Sequence, residues 1–351
     1  MGNLKPDTSV YALFDNQDEV KEALWQYLNR RVSDIRIITG KQKTTENAAL
    51  LTRIEKDYGI DRYILLSLWG NESSYGDVID NPKYMRPIIP ALAALAFGGS
   101  RRRPYWEAEL LNALVIVERG WANPKDMIGS WAGAMGHTQW MPEVWLNVGV
   151  DYDKDGRILP FGKVDDAFAG TANYLLTRGK YRRGESWGCE VKLPASFKVR
   201  GKASHPYSRW RSMGVTRADG AAFSRPNDLV RLRIPVDGGP AFLTGQNFAA
   251  VMSYNPAFSY ALAVCHLADR IRGSADFIQR FPGEEERIPT VAEVQEIQKL
   301  LTAMGFNTDG ADGRVGRDTM KAVRAFQQKI NMEPADGYPG LAVLARLRKG
   351  A

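Results

Sequence analysis

Glu72 is the only carboxylate in the stretch Tyr63-Ile64-Leu65-Leu66-Ser67-Leu68-Trp69-Gly70-Asn71-Glu72-Ser73-Ser74-Tyr75-Gly76. Ile64, Leu68, Glu72 and Tyr75 fall at i, i+4, i+8 and i+11, so on a helix they share one stripe. That stripe carries the acid on an apolar face, one turn before a glycine suited to ending the helix. Desolvation and the negative end of the helix dipole both favour the protonated acid. A carboxylic acid that stays protonated near neutral pH is what general-acid cleavage of a glycosidic bond requires. The alternative is a frayed helix end with Glu72 in water.

A second candidate is the segment Asp151-Tyr152-Asp153-Lys154-Asp155-Gly156-Arg157-Ile158. Acids at positions one, three and five, glycine at six and a backbone carbonyl at seven (Arg157) are the opening of a calcium loop. The usual closing Glu at position twelve is absent, because Gly162 stands there; Asp165 or Asp166 would close a longer loop. Asp-rich turns also occur without metal. The third candidate runs from Ser130 to Pro142 and is dominated by glycine and small residues, with Gln139 beside Trp140. Small side chains let a polymer approach the backbone, amides and hydroxyls read acetamido and hydroxyl groups, and an indole face stacks on a sugar. A tight loop packed in the core accounts for the glycines equally well, but not for Gln139.

Helices must position these groups. Helical spacing predicts helix through residues 17 to 59, in the Glu72 segment, from Ile88 with Pro90 in the first turn, over 105 to 119 and over about 164 to 178. From about 187 to 242 the pattern changes. Glu190–Leu193, Phe197–Val199 and Leu229–Ile234 alternate with period two and predict a small β-rich insertion. Helix returns over 246 to 271. The charged stretch 283–289 ends in Pro289 and reads as a linker, and Thr290-Val291-Ala292-Glu293 then fits a capping box opening three short helices. The expected organisation is a domain over 1–282 containing the insertion, the linker 283–289, and a small domain over 290–351. The fold class is mainly α (α+β).

The chain has 351 residues, 44% of them hydrophobic, and a net charge of +7. That is ample for packed cores in two domains, and no window suggests a membrane span. The positive charge suits a polyanion: nucleic acid, an anionic membrane, or a cell-wall polymer bearing carboxylates. A generic basic surface explains it as well. Cys189 and Cys265 match no zinc or redox spacing and are either one disulfide or two buried thiols. The first residues show no signal peptide and no lipid-attachment cysteine, which suits a cytosolic protein or one whose targeting segment has been removed.

Together these segments resemble the B family of membrane-bound lytic murein transglycosylases over about residues 15 to 275. The marks are Asn71 through Gly76, Phe97 through Arg103, Gly129 through Pro142, the Asp151 loop, Ala172-Asn173-Tyr174, Tyr254-Asn255 and Tyr260 through Val264. Residues 289 to 351 resemble a three-helix peptidoglycan-binding domain, through Asp312-Gly313-Arg314-Val315-Gly316, Phe326-Gln327 and Asp336-Gly337-Tyr338. The resemblance implies a lysozyme-like helical catalytic domain that cleaves the MurNAc–GlcNAc bond of peptidoglycan without water, leaving 1,6-anhydro-MurNAc ends. It implies that Glu72 is acid and then base, which removes the need for the second carboxylate of two-acid hydrolases. It places Arg101 and Arg102 near a peptide or lactyl carboxylate, and Ser130, Gln139, Trp140, Tyr174, Tyr254, Asn255 and Tyr260 around the glycan. It makes the Asp151 loop a structural calcium site, with no cofactor needed for the chemistry. The implied partners are peptidoglycan glycan strands, not nucleic acid or a membrane span. The implied protein is a periplasmic monomer. A hydrolytic muramidase and a non-catalytic wall-binding protein are the rival expectations.

Overall fold

The computed structural model describes residues 5–15, 22–98, 102–195, 197, 204–284, 287, 289–333 and 335–350. The chain begins with α1 (Val10–Asp15), α2 (Leu24–Arg31), α3 (Asp34–Glu46) and α4 (Ala48–Tyr58). Residues 17–21 of the helix expected through 17–59 lie outside the described residues; the rest is several helices, broken at Ser33 and Asn47 and ended by Gly59, which at φ 70° supplies a left-handed cap. Asp61 caps α5 (Arg62–Ser73) by accepting from the Tyr63 amide at 2.9 Å.

A short antiparallel ribbon of β1 (Arg86–Pro87) and β2 (Ile128–Gly129) brackets α6 (Ile88–Phe97) and α7 (Arg103–Glu118). Next come α8 (Pro142–Val148) and α9 (Val164–Thr177). The insertion holds β3 (Gly188–Lys192), β4 (Ser204–Pro206), α10 (Tyr207–Ser212), β5 (Thr216–Arg217), β6 (Leu229–Arg233) and β7 (Ala241–Thr244), in one antiparallel sheet of order β4-β6-β7-β3-β5. No strand includes Phe197; Lys198 and Val199, the rest of that expected strand, lie outside the described residues. The expected helix 246–271 is two, α11 (Gln246–Tyr254) and α12 (Phe258–Arg272), separated at Asn255-Pro256-Ala257, where the proline cannot continue the ladder. The chain ends with α13 (Val291–Ala303), α14 (Arg317–Lys329) and α15 (Leu341–Arg348). Among the described residues no single helix is long and apolar enough to cross a membrane.

Two compact units emerge, and they do not follow the chain linearly. One contains residues 1–18, 31–185 and 246–275; the other contains 19–30, 186–245 and 276–351. In the first, α5 is apolar on nearly all sides and buried accordingly, with Leu65, Leu66 and Leu68 fully enclosed. It lies against α12, whose Val264 carbonyl accepts from the Ser67 hydroxyl at 2.6 Å.

In the second, the sheet buries Val191, Val230, Leu232 and Leu243 under Trp210 of α10. The three C-terminal helices close their own core on Ile297, Leu301, Val323, Phe326, Leu344 and Leu347. The capping box is present, with Thr290 Oγ1 accepting from the Glu293 amide at 3.3 Å and Glu293 accepting from the Thr290 amide at 2.8 Å. Residues 24–30 join this unit, unlike the expected partition, because Trp25 meets the Tyr338 ring edge-on and Gln26 donates to the Tyr338 hydroxyl at 2.9 Å. Cys189 and Cys265 are each buried and free.

Candidate active site

The C-terminus of α5 makes an abrupt turn. Ser74, Tyr75 and Gly76 are successively left-handed, at φ 52°, 61° and 92°. Tyr75 therefore leaves the helical stripe assigned to it; the helix ends before Ser74 rather than at Gly76. Its ring folds back onto Gly70, where a Cβ would stand 2.6 Å from it. Trp69 packs edge-on against Tyr75, His137 and Phe168.

His137 is the hub of this packing. Its Nδ1 accepts from the Trp69 indole at 3.1 Å, which fixes Nε2 as the protonated nitrogen, 2.8 Å from the Gly162 carbonyl. The Ser73 hydroxyl donates to the His137 carbonyl at 2.6 Å, and the His137 amide donates to the Pro160 carbonyl at 2.8 Å. Burial holds this imidazole neutral by pushing its pKa down, against the Gly162 contact and Asp80.

Glu72 is partly exposed, but protein surrounds it closely enough that burial pushes its carboxyl up to about 7. The Tyr260 hydroxyl, which donates to Glu72 Oε1, and the Arg31 guanidinium act in the opposite direction. Arg31 is anchored through Nη1 to the Asn71 carbonyl at 2.8 Å. Among the described residues no second carboxylate acts on Glu72; Asp77 is exposed. A proton therefore stays on Glu72 to near neutral pH, and a hydroxyl waits to stabilise the anion once it leaves.

The remaining expected residues separate into groups. Tyr254 is near enough for the Glu72 charge to act on it; its hydroxyl donates to the Thr138 carbonyl at 2.5 Å, and burial pushes its pKa well up. Tyr174 packs edge-on against Tyr254 at 5.0 Å and donates to the Ser253 carbonyl at 2.7 Å. Ser130 and Gln139 organise their own loop: Ser130 Oγ accepts from the Ala134 amide at 3.1 Å, and Gln139, at φ 53°, donates to the Gly136 carbonyl at 3.0 Å. Trp140 presents no face for a sugar. It is 1% exposed, donates to Thr171 Oγ1 at 3.2 Å, and sits so close to Gly170 that a Cβ there would lie 2.2 Å from the ring. The tight-loop reading holds for this indole. Asn255 is exposed and caps the α11–α12 break by accepting from the Ala257 amide at 3.0 Å. Arg102 is exposed and stacks over Tyr105 and Trp106, at 4.7 and 5.4 Å. Arg101 lies outside the described residues. His137 and Arg31 were missed; the rarity of histidine, three in the chain, was the only sequence signal for the first.

The Asp151 loop is assembled as a cation cradle. Ligand oxygens of Asp151, Asp153 and Asp155 lie within 4.8 Å of one another. Loop amides tie them down: Asp155 and Gly156 donate to Asp151 at 3.1 and 3.0 Å, and Arg157 donates to Asp155 at 2.9 Å. Lys154 and Gly156 are left-handed, which curls the turn. Asp166 does not close the ring of ligands. Its two oxygens accept from the amides of Tyr152 and Leu159 at 2.8 and 2.9 Å, so it holds the loop from behind. Asp165 is outside the three-carboxylate cluster and faces Arg53 at 3.7 Å. Three crowded hard oxygens, answered among the described residues by one ion pair, Lys163 at 3.1 Å from Asp153, fit a divalent cation such as calcium.

The transglycosylase SLT domain model matches residues 1–269, and the peptidoglycan-binding domain model matches residues 290–347. The chain belongs to the SLT-domain transglycosylase family. Membrane-bound lytic murein transglycosylase B of Escherichia coli is 28% identical over 277 residues, 75% of this chain and 74% of that protein. SltB3 of Pseudomonas aeruginosa, solved with NAG-anhNAM-pentapeptide, is 36% identical with a TM-score of 0.77, covering 98% of this chain and 92% of that one. Slt35 of Escherichia coli, solved with calcium, is 27% identical with a TM-score of 0.65, covering 77% and 84%. This transglycosylase is a lytic enzyme of peptidoglycan with a lysozyme-like helical domain and a C-terminal peptidoglycan-binding domain. A nucleic-acid role leaves both of its carboxylate sites without a purpose.

Proposed function

We propose that Glu72 carries both proton transfers of a non-hydrolytic cleavage of the MurNAc–GlcNAc bond. As acid it protonates the leaving glycosidic oxygen while the C1–O bond breaks, and the substrate's acetamido group stabilises the cationic centre. The C6 hydroxyl then attacks C1 and returns its proton to Glu72, closing the 1,6-anhydro ring without consuming water. The observation that carries this reading is a single carboxyl held protonated to about 7, with Tyr260 as its hydrogen-bond donor and no second carboxylate acting on it among the described residues. A two-acid hydrolase would place another carboxylate opposite. Tyr260 touches the acid, Tyr254 is close enough for the Glu72 charge to act on it, and Tyr174 packs against Tyr254.

Asp151, Asp153 and Asp155, with the Arg157 carbonyl, are the residues that would hold calcium. The ion supplies charge neutralisation and rigidity to the loop. A periplasmic location fits the polymer acted on.

Muropeptides released from purified sacculi test the reaction by mass. Anhydro products are expected from the native enzyme and none from Glu72→Gln; products heavier by one water would assign a hydrolase instead.

A further inference from the structure

Residues 186–245 contain ten lysines and arginines against four acids, and so carry +6 of the chain's +7. Three of the acids are committed. Asp219 pairs with Arg217, Asp228 pairs with Arg225, and Glu190 accepts the amides of Ile278 and Gln279, both at 2.8 Å. On β6, Val230 and Leu232 face the core under Trp210, so Leu229, Arg231 and Arg233 share the opposite face. Both arginines are partly buried, and neither side chain has a hydrogen bond or ion pair with any described residue. Arg233 Nε is wholly buried without an acceptor. In register Arg233 stands opposite Phe242, which is fully enclosed, so its stem lies along apolar surface. Burial, and then the charge of Arg231, lowers the Arg233 pKa. Two like charges partly withdrawn from water without a counter-ion are costly to fold, and an anion removes that cost.

We infer that Arg231 and Arg233 form a binding site, separate from Glu72, for a carboxylate of the peptide stems borne by peptidoglycan. Two adjacent guanidinium forks on one sheet face match the planar, two-oxygen acceptor that a carboxylate offers. Leu229, 59% exposed on the same face, offers contact for an alanine methyl of the same peptide. The site rests on the peptidoglycan reading. It would let the enzyme distinguish peptide-bearing strands from bare glycan without a role in bond cleavage.

Calorimetric titration of the full-length protein with the free tetrapeptide L-Ala-D-Glu-diaminopimelate-D-Ala tests it, with inorganic phosphate as a parallel probe. The double variant Arg231→Gln/Arg233→Gln is expected to bind the tetrapeptide at least ~10-fold more weakly, with Arg231→Lys/Arg233→Lys in between. Its retention on intact sacculi should fall, and its retention on amidase-stripped sacculi should match the native protein. Turnover of peptide-free glycan should be unchanged; loss there would count against the separate site. An unaltered melting temperature, or a higher one from relief of the charge pair, excludes misfolding. Equal tetrapeptide affinity in native and double-variant protein, or no binding by the native protein, overturns the proposal. Phosphate bound in preference to the tetrapeptide overturns the choice of a carboxylate.

Discussion

Glu72 stands alone in a place short of water, whereas Asp151, Asp153 and Asp155 crowd together at the surface. The solitary carboxyl has one hydroxyl donor and the charge of one guanidinium, and burial outweighs both, so its pKa is raised. The crowded carboxylates each accept from backbone amides and turn their oxygens towards one another at the surface, an arrangement that suits a cation. The same functional group is thus set up to hold a proton in one place and to offer oxygens to a cation in the other, according to what surrounds it. His137 joins the two regions, touching Trp69 and Ser73 of the Glu72 helix on one side and Pro160 and Gly162 beyond the loop on the other.

The largest expected effect breaks the first half of this contrast. Glu72→Gln keeps the shape and removes the exchangeable proton, so sacculus-clearing activity should fall by ~10²–10⁴ or more, because one group serves two steps. Stability should move the other way. A carboxyl whose pKa is raised in the fold favours the folded state most fully below its ordinary value of 4.5, and that contribution is lost as pH rises to about 7. Above pH 7 the Gln variant should therefore be the more stable protein, by up to ~2 kcal/mol in denaturant melts. A less stable variant at pH 8 would mean that Glu72 is well solvated.

The joint between the regions should be nearly as sensitive. His137→Ala leaves the buried Trp69 indole without its acceptor, at a cost of about 1–3 kcal/mol, together with the lost packing. The native imidazole, with its pKa held below 6.5, contributes stability that is complete above that pH and is lost as pH falls through the lower folded value. Native protein should show this acid limb in its melting temperature, and His137→Gln should lack it. An identical acid limb in both would remove His137 from the account.

Calcium tests the second half. An ion bound only by the folded loop stabilises it by about 2.7 kcal/mol at a hundredfold excess over Kd. Asp153→Ala should abolish the calcium-induced rise in melting temperature and leave a measurable rate at Glu72. A native melting curve indifferent to both calcium and chelator would reduce the cluster to an acidic turn.

Much of this was legible in residue spacing. Alternation located β3 and β6, the Thr290 capping box started α13, and the Asp151 spacing gave three oxygens on one side of a turn. What failed needed the third dimension. Trp140 beside Gln139 reads the same whether its ring faces a sugar or the core, and only its closeness to Gly170, thirty residues on, decides. Tyr75 fits a helical stripe by count, but the stripe ends at a left-handed Ser74. Asp166 is as acidic as a ligand, yet two backbone amides occupy it. Arg31 lies forty residues before Asn71, and no local pattern brings them together.

The smallest expected effect is also the most specific. The Tyr260 hydroxyl donates to Glu72 and so favours its anion, against the burial that favours the neutral acid. Tyr260→Phe removes the donor while keeping the ring, and the Glu72 pKa should rise further above 7. The alkaline limb of the pH–rate profile should then shift upward. The rate at the optimum should drop about tenfold, because the carboxylate formed after the first proton transfer has lost its charge-assisted hydrogen bond. A purely structural tyrosine would lower the rate without moving the limb. A downward shift would mean that the hydroxyl stabilises the protonated acid, and the role assigned to Tyr260 would have to be reversed.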